Sequence, residues 1–201
     1  MAKSLDQTAE QLGNILLSSG LHLTTAESCT AGLISITLAA VESSGDFYTS
    51  GFVTYSENAK IRLLGVHPDT LKQHTAVSEQ TAREMVQGAC ARSGEPVGLS
   101  ITGYAGPDGG EDGTPAGTIW FGWVLPDGRD EAECHQLSGD PTTVMEQGTT
   151  AVLEELIIRL KRVCRDRRPV RHHSTRGCGS RRADDPVHGH QDLPAHIPRL
   201  H

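Results

Sequence analysis

The chain has 201 residues, a net charge of -7 and 36% hydrophobic residues, enough for one well-buried core and too short for two of ordinary size. No apolar run approaches the roughly 18–20 residues of a membrane span, and no basic-then-apolar signal segment opens the chain, so a cytoplasmic protein with no membrane partner is expected. The charge is uneven: residues 1–160 hold 8 Lys/Arg against 21 Asp/Glu, whereas residues 161–201 hold 10 against 4, so the body repels phosphates and nucleic acid is not expected as a partner.

In chain order, SLDQTAEQLGNILLSSG puts Leu5, Ala9, Leu12, Ile15 and Leu16 on one helical stripe and stops at Gly20, a residue suited to the left-handed conformation after a helix. LHLTTA then alternates like a strand, and SCTAGLISITLAAVESSG resumes with helical length. FYTSGFVTY is aromatic and β-branched, which predicts a strand closed by Tyr55, followed by a helix that Ser56 caps and that contains Lys60. A further helix over SEQTAREMVQGACARSG starts from Ser78 and ends near Gly94.

PVGLSITGYAG reads as a buried strand opening into the loop PDGGEDGTPAG, and GTIWFGWVLPDGRDEAECHQL as a hairpin turning at Pro126–Gly128. A long helix follows, with Val144, Gly148, Val152, Leu156 and Leu160 near one face. Strands and helices interleave, so the fold class is α/β: three layers, α/β/α, around a mixed, largely parallel sheet with a C-terminal hairpin. From residue 163 periodicity stops. The segment 163–201 is rich in Arg, His and Pro and is expected to be a disordered tail rather than a metal site, which sets the domain at residues 1–162.

Five cysteines, Cys29, Cys90, Cys134, Cys164 and Cys178, form no CxxC and no close pair, so neither a zinc site nor a disulfide framework is indicated. Ser28, Cys29 and Thr30 stand side by side where strand passes to helix, beside backbone amides able to stabilise developing negative charge. Two readings stay open on local sequence: one of the three is a nucleophile, or Thr25 or Ser28 caps the helix while Cys29 packs. No Ser-His-Asp pattern accompanies Ser28. Lys60 is the other candidate base if it is desolvated, and an ordinary surface lysine if it is not. The loop residues Thr102, Gly103, Ala105, Gly106 and Pro107 follow a parallel strand, where α/β sheets bind ligands, although no complete phosphate-loop or dinucleotide motif is present.

The stretches TTAESCTAG (24–32), GFVTYSENAK (51–60), AVSEQTAREM (76–85), SITGYAGPDGG (100–110) and PAGTIWFG (115–122), in this order, resemble the C-terminal domain of the competence-damage-inducible CinA family, whose stand-alone members include nicotinamide-nucleotide amidohydrolases. The resemblance covers about residues 5–161. It implies hydrolysis of the carboxamide of nicotinamide mononucleotide, a small-molecule substrate, with no cofactor and no metal. In that scheme Ser28 is the nucleophile, Lys60 the base and Tyr55 an assisting hydroxyl. Cys29 and Thr30 supply backbone amides, and Thr102, Gly103, Ala105, Gly106, Pro107 and Arg62 are candidate substrate contacts. Pro141, Met145 and Glu146 depart from a pattern in which arginine is common, so a nucleotide- or pterin-binding module without turnover is the alternative. The edges of the sheet make a homo-oligomer the expected assembly.

Overall fold

A computed structural model describes residues 4–166; the expected disorder of the tail and its histidines lies outside the described residues. Helix α1 (Leu5–Ser19) begins with a capping box, in which the Gln7 amide donates to Ser4 Oγ and the Ser4 amide to Gln7 Oε1, and ends at Gly20 with φ 61°. There follow β1 (Leu23–Glu27), α2 (Leu33–Ala39), β2 (Tyr48–Val53) and α3 (Glu57–Ala59), which runs on as a π-helical turn over Lys60–Leu64. The chain continues through α4 (Pro68–His74), α5 (Glu79–Ser93), β3 (Val97–Gly103), β4 (Thr118–Val124), β5 (Asp130–Gln136) and α6 (Pro141–Asp166).

The strands form one sheet in the order β2-β1-β3-β4-β5. β1 is parallel to both β2 and β3, while β3–β4 and β4–β5 are antiparallel, so β4 alone runs against the other four. Period-two alternation splits the core into two layers. Leu23, Leu99, Ile101, Ile119, Phe121 and Trp123 face α1, α2 and α6. The opposite face is lined by smaller groups and receives α5 closely: a Cβ on Gly122 would lie 2.7 Å from the Ala82 carbonyl oxygen, and Ser100 Oγ donates to that same oxygen at 2.6 Å.

Three local differences from expectation have physical reasons. Helix α2 starts at Leu33 rather than just after β1, because the turn between them wraps the Glu27 carboxylate. Strand β2 ends at Val53, two residues before Tyr55. Helix α4 was not anticipated; Pro68 stands at its first turn and His67 caps it.

Candidate active site

The first three strands of the sheet run in one direction, and their carboxyl ends deliver Ser28, Thr54 and the 102–106 loop to one place. Because β1 connects to β2 on one side and pairs with β3 on the other, a crevice opens where the chain reverses its direction of winding. The cavity there measures about 240 Å³, and Ser28, Lys60, Tyr55, Thr102, Tyr104 and Gly106 are among its lining residues.

Strand alternation sends Glu27 and Ser28 to opposite faces of the sheet. Ser28 continues the β1 ladder, its amide donating to the Ile101 carbonyl at 3.0 Å, and its side chain turns toward α3. There Lys60 Nζ lies 2.8 Å from Ser28 Oγ and donates to the Thr54 carbonyl at 2.9 Å. Thr54 is fixed in turn by the bond from its amide to the Glu27 carbonyl, 2.7 Å. The Lys60 side chain enters from the junction of α3 with the π-helical turn, a helix irregularity often found at functional positions. It is 1% exposed. Burial pushes its ammonium down from 10.5 to about 8, against the opposing effects of Cys29 and Glu57.

The three adjacent side chains have three different fates. Ser28, 7% exposed, faces Lys60. The Cys29 thiol lines the cavity, but burial pushes it up to about 12, so it stays protonated and weakly nucleophilic. Thr30 Oγ1 turns away and donates to Glu27 Oε2 at 2.7 Å.

Glu27 is the residue that sequence reasoning did not single out. Its carboxylate is fully buried, yet it accepts five hydrogen bonds: from the Thr30 hydroxyl and the amides of Gly32 and Ile34 on Oε2, and from the amide and hydroxyl of Ser35 on Oε1. An internal carboxylate thus occupies the amino terminus of α2, where unpaired amides favour an anion. Tyr48 extends the network, bonding Ser35 Oγ at 2.8 Å and Thr25 Oγ1 at 2.9 Å. The amides of Cys29 and Thr30 are left out of this arrangement; among the described residues no backbone carbonyl accepts from them.

Of the other expected site residues, Thr102, Gly103, Ala105 and Gly106 line the cavity together with Tyr55. Tyr55 stands at the mouth, 72% exposed. Thr30, Pro107 and Arg62 are outside the lining, and Arg62 is exposed on the π-helical turn. Ala76, Val77 and Asp108 belong to the lining and were not anticipated. Ala76 is held there by the bond from Thr102 Oγ1 to its carbonyl, 2.7 Å, a long-range contact that leaves no local pattern in the sequence. Among the described residues no group of three or more His, Cys, Asp or Glu side chains could hold a metal ion, and no helix is long and apolar enough to cross a membrane.

A family model described as the CinA C-terminal domain matches residues 5–160, the span that contains this whole site. The chain belongs to the CinA C-terminal domain family. It is similar to Protein YdeJ of Escherichia coli, 42% identical over 154 residues that cover 77% of this chain and 89% of that one. It is similar also to the nicotinamide-nucleotide amidohydrolase PncC of Escherichia coli, 40% identical over 152 residues covering 76% and 92%. Among solved structures, the competence damage-inducible protein A from Klebsiella pneumoniae superposes with a TM-score of 0.78 at 39% identity, over 79% of this chain and 98% of that one. The family fold and the three-layer arrangement around a mixed five-stranded sheet therefore agree.

Proposed function

We propose that this CinA-family chain is an amidohydrolase that converts the carboxamide of nicotinamide mononucleotide to the carboxylate, releasing ammonia and serving pyridine nucleotide recycling. The observation that carries the reading is the buried Ser28–Lys60 pair, 2.8 Å apart on the wall of a cavity. The name of the PncC relative supplies the substrate class.

Lys60 in its neutral form can keep its donor bond to the Thr54 carbonyl and offer its lone pair to the Ser28 hydroxyl. Ser28 Oγ adds to the amide carbon as its proton passes to Nζ, and the carbonyl oxygen takes up the negative charge. The amides of Cys29 and Thr30 are the candidate donors to that oxygen. Lys60 then hands its proton to the departing nitrogen, which leaves as ammonia, and a nicotinoyl ester remains on Ser28. Water adds to this ester with Lys60 again taking a proton, the ester bond breaks, and Ser28 regains its hydrogen. Tyr55 contributes its hydroxyl from the mouth, and the 102–106 loop, with its neighbour Pro107, holds the ring. In this reading the protein is a cytoplasmic homo-oligomer that needs no cofactor.

Ammonia release from nicotinamide mononucleotide tests the proposal. Ser28→Ala and Lys60→Ala are each expected to lower turnover by at least about a thousandfold, and wild-type turnover in either variant removes that residue from the mechanism. Tyr55→Phe, which alters only an exposed hydroxyl, is expected to cost about tenfold. Binding without ammonia release by the unmodified protein would favour the module without turnover.

A further inference from the structure

The charge around the cavity bears on which pyridine amide it takes. Among the described residues Lys60 is the only Lys or Arg in the lining, and its Nζ is already committed to Ser28 and Thr54. Asp108 is the other charged lining residue. A second cavity of about 340 Å³ adjoins the first, sharing Ala76 and Tyr104 with it, and among the described residues its lining contains Glu57, Glu111 and Asp112 but no Lys or Arg. The three acids surround Tyr104: burial, followed by Asp112, Glu57 and Glu111, pushes its phenol up. Asp112 accepts from the Thr114 amide at 2.9 Å, which holds its carboxyl below the usual range and keeps it ionised at neutral pH. A Cβ built on Gly106 would meet Ala116 Cβ at 3.8 Å and Pro141 Cγ, at the start of α6, at 3.9 Å.

A nicotinamide N-glycoside carries one positive charge on its pyridinium ring. A 5′-phosphate turns that cation into a net anion. A cavity and annexe lined by Asp108, Glu57, Glu111 and Asp112 favour the cation and repel the phosphate.

Building on the amidohydrolase reading, we infer that the cavity selects phosphate-free, cationic pyridinium carboxamides, so that the N-ribosylated nicotinamide is a better substrate than its 5′-phosphate. Asp108 and Glu111 are the specificity determinants most open to test, because both are exposed and neither makes a hydrogen bond that shapes the loop.

The experiment compares kcat/KM for nicotinamide riboside and nicotinamide mononucleotide, by ammonia release, at two ionic strengths. At 10 mM, where charges act over about 30 Å, the riboside is expected to lead by about tenfold. At 1 M, where the range is about 3 Å, the two are expected to converge to within about twofold. The double variant Asp108→Asn with Glu111→Gln is expected to shrink the low-salt lead by improving the phosphate-bearing substrate. A lead for the mononucleotide at 10 mM, or a ratio unmoved by salt and by the double variant, overturns the inference while leaving the amidohydrolase reading intact. Calorimetric titration of Ser28→Ala with each compound makes the same comparison without turnover. If the unmodified protein releases ammonia from neither compound, the amidohydrolase reading fails, and the ranking of the two affinities still decides the charge inference.

Discussion

Lys60 must be neutral to take a proton from Ser28, and its surroundings set the pH at which it is. With an ammonium pushed down by burial to about 8, kcat/KM is expected to rise about tenfold per pH unit below that value and to level off above it; a flat profile from pH 6 to 9 would rule out Lys60 as base. The same group shapes stability. Between about 8 and its ordinary value of 10.5 the unfolded chain holds the proton and the folded chain does not, so this group's contribution to stability rises with pH across that window and is constant below it. The depression corresponds to about 3 kcal/mol. Denaturant titrations of the unmodified protein and of Lys60→Met, which keeps the apolar stem, should therefore diverge in favour of the former from pH 8 to 10. Glu27 offers a second test at this scale. Every group facing its carboxylate is a donor, so Glu27→Gln sets an NH₂ against at least one amide that cannot turn, costing about 2–4 kcal/mol in denaturant titration. Ser28 loses its rigid support in that variant, so kcat is expected to fall while KM changes little. Lost stability with unchanged kcat would make Glu27 purely structural.

The helices and strands show which sequence signals carry information. Caps were readable because they act locally: Ser56 and Ser78 accept from the amides three residues on, and Gly20 and Gly94 close their helices with positive φ. The late start of α2 was not readable, since it depends on Glu27 folding back across eight residues; a carboxylate in a strand ordinarily signals a solvent-facing position, whereas all five residues of β1 are buried. The Ser28–Lys60 pair was legible as a motif, and its contact across 32 residues required the sheet order. Ala76 and Asp108 lie inside the stretches 76–85 and 100–110, but neither side chain signals by its own chemistry that it lines the cavity. The close seating of α5 on β3 and β4 gives an element-scale test. A Cβ on Gly122 would lie 2.5 Å from Ser100 Oγ and 2.7 Å from the Ala82 carbonyl oxygen, both in well-packed surroundings. Gly122→Ala is therefore expected to destabilise by about 1–3 kcal/mol in urea titration. Moving α5 also moves Ala76 through the 76–82 segment, so KM should rise before the fold is lost.

At the scale of the whole chain, the described residues that build the core and line the cavity lie between Leu5 and Val163. Val163 is the last residue of the core shared by α1, α6 and the sheet, and α6 ends at Asp166. Arg159, near that end, lies over the Trp123 ring at 3.7 Å and bonds Glu131 and Glu133 of β5, so the outer strand is tied down within the same span. Residues 169–201 add 5 Arg and 3 Asp, a small positive balance on a strongly acidic body. Truncation after Arg168 is accordingly expected to leave kcat/KM for the amide within about twofold and Tm within about 2 °C, because surface charge of this size moves stability by only tenths of a kcal/mol. Salt-dependent affinity for nucleic acid, if the full chain has any, should vanish in the same truncation, since the remaining body is acidic. Loss of ammonia release on truncation would instead place part of the site in residues 169–201 and would break the assignment of catalysis to the α/β body.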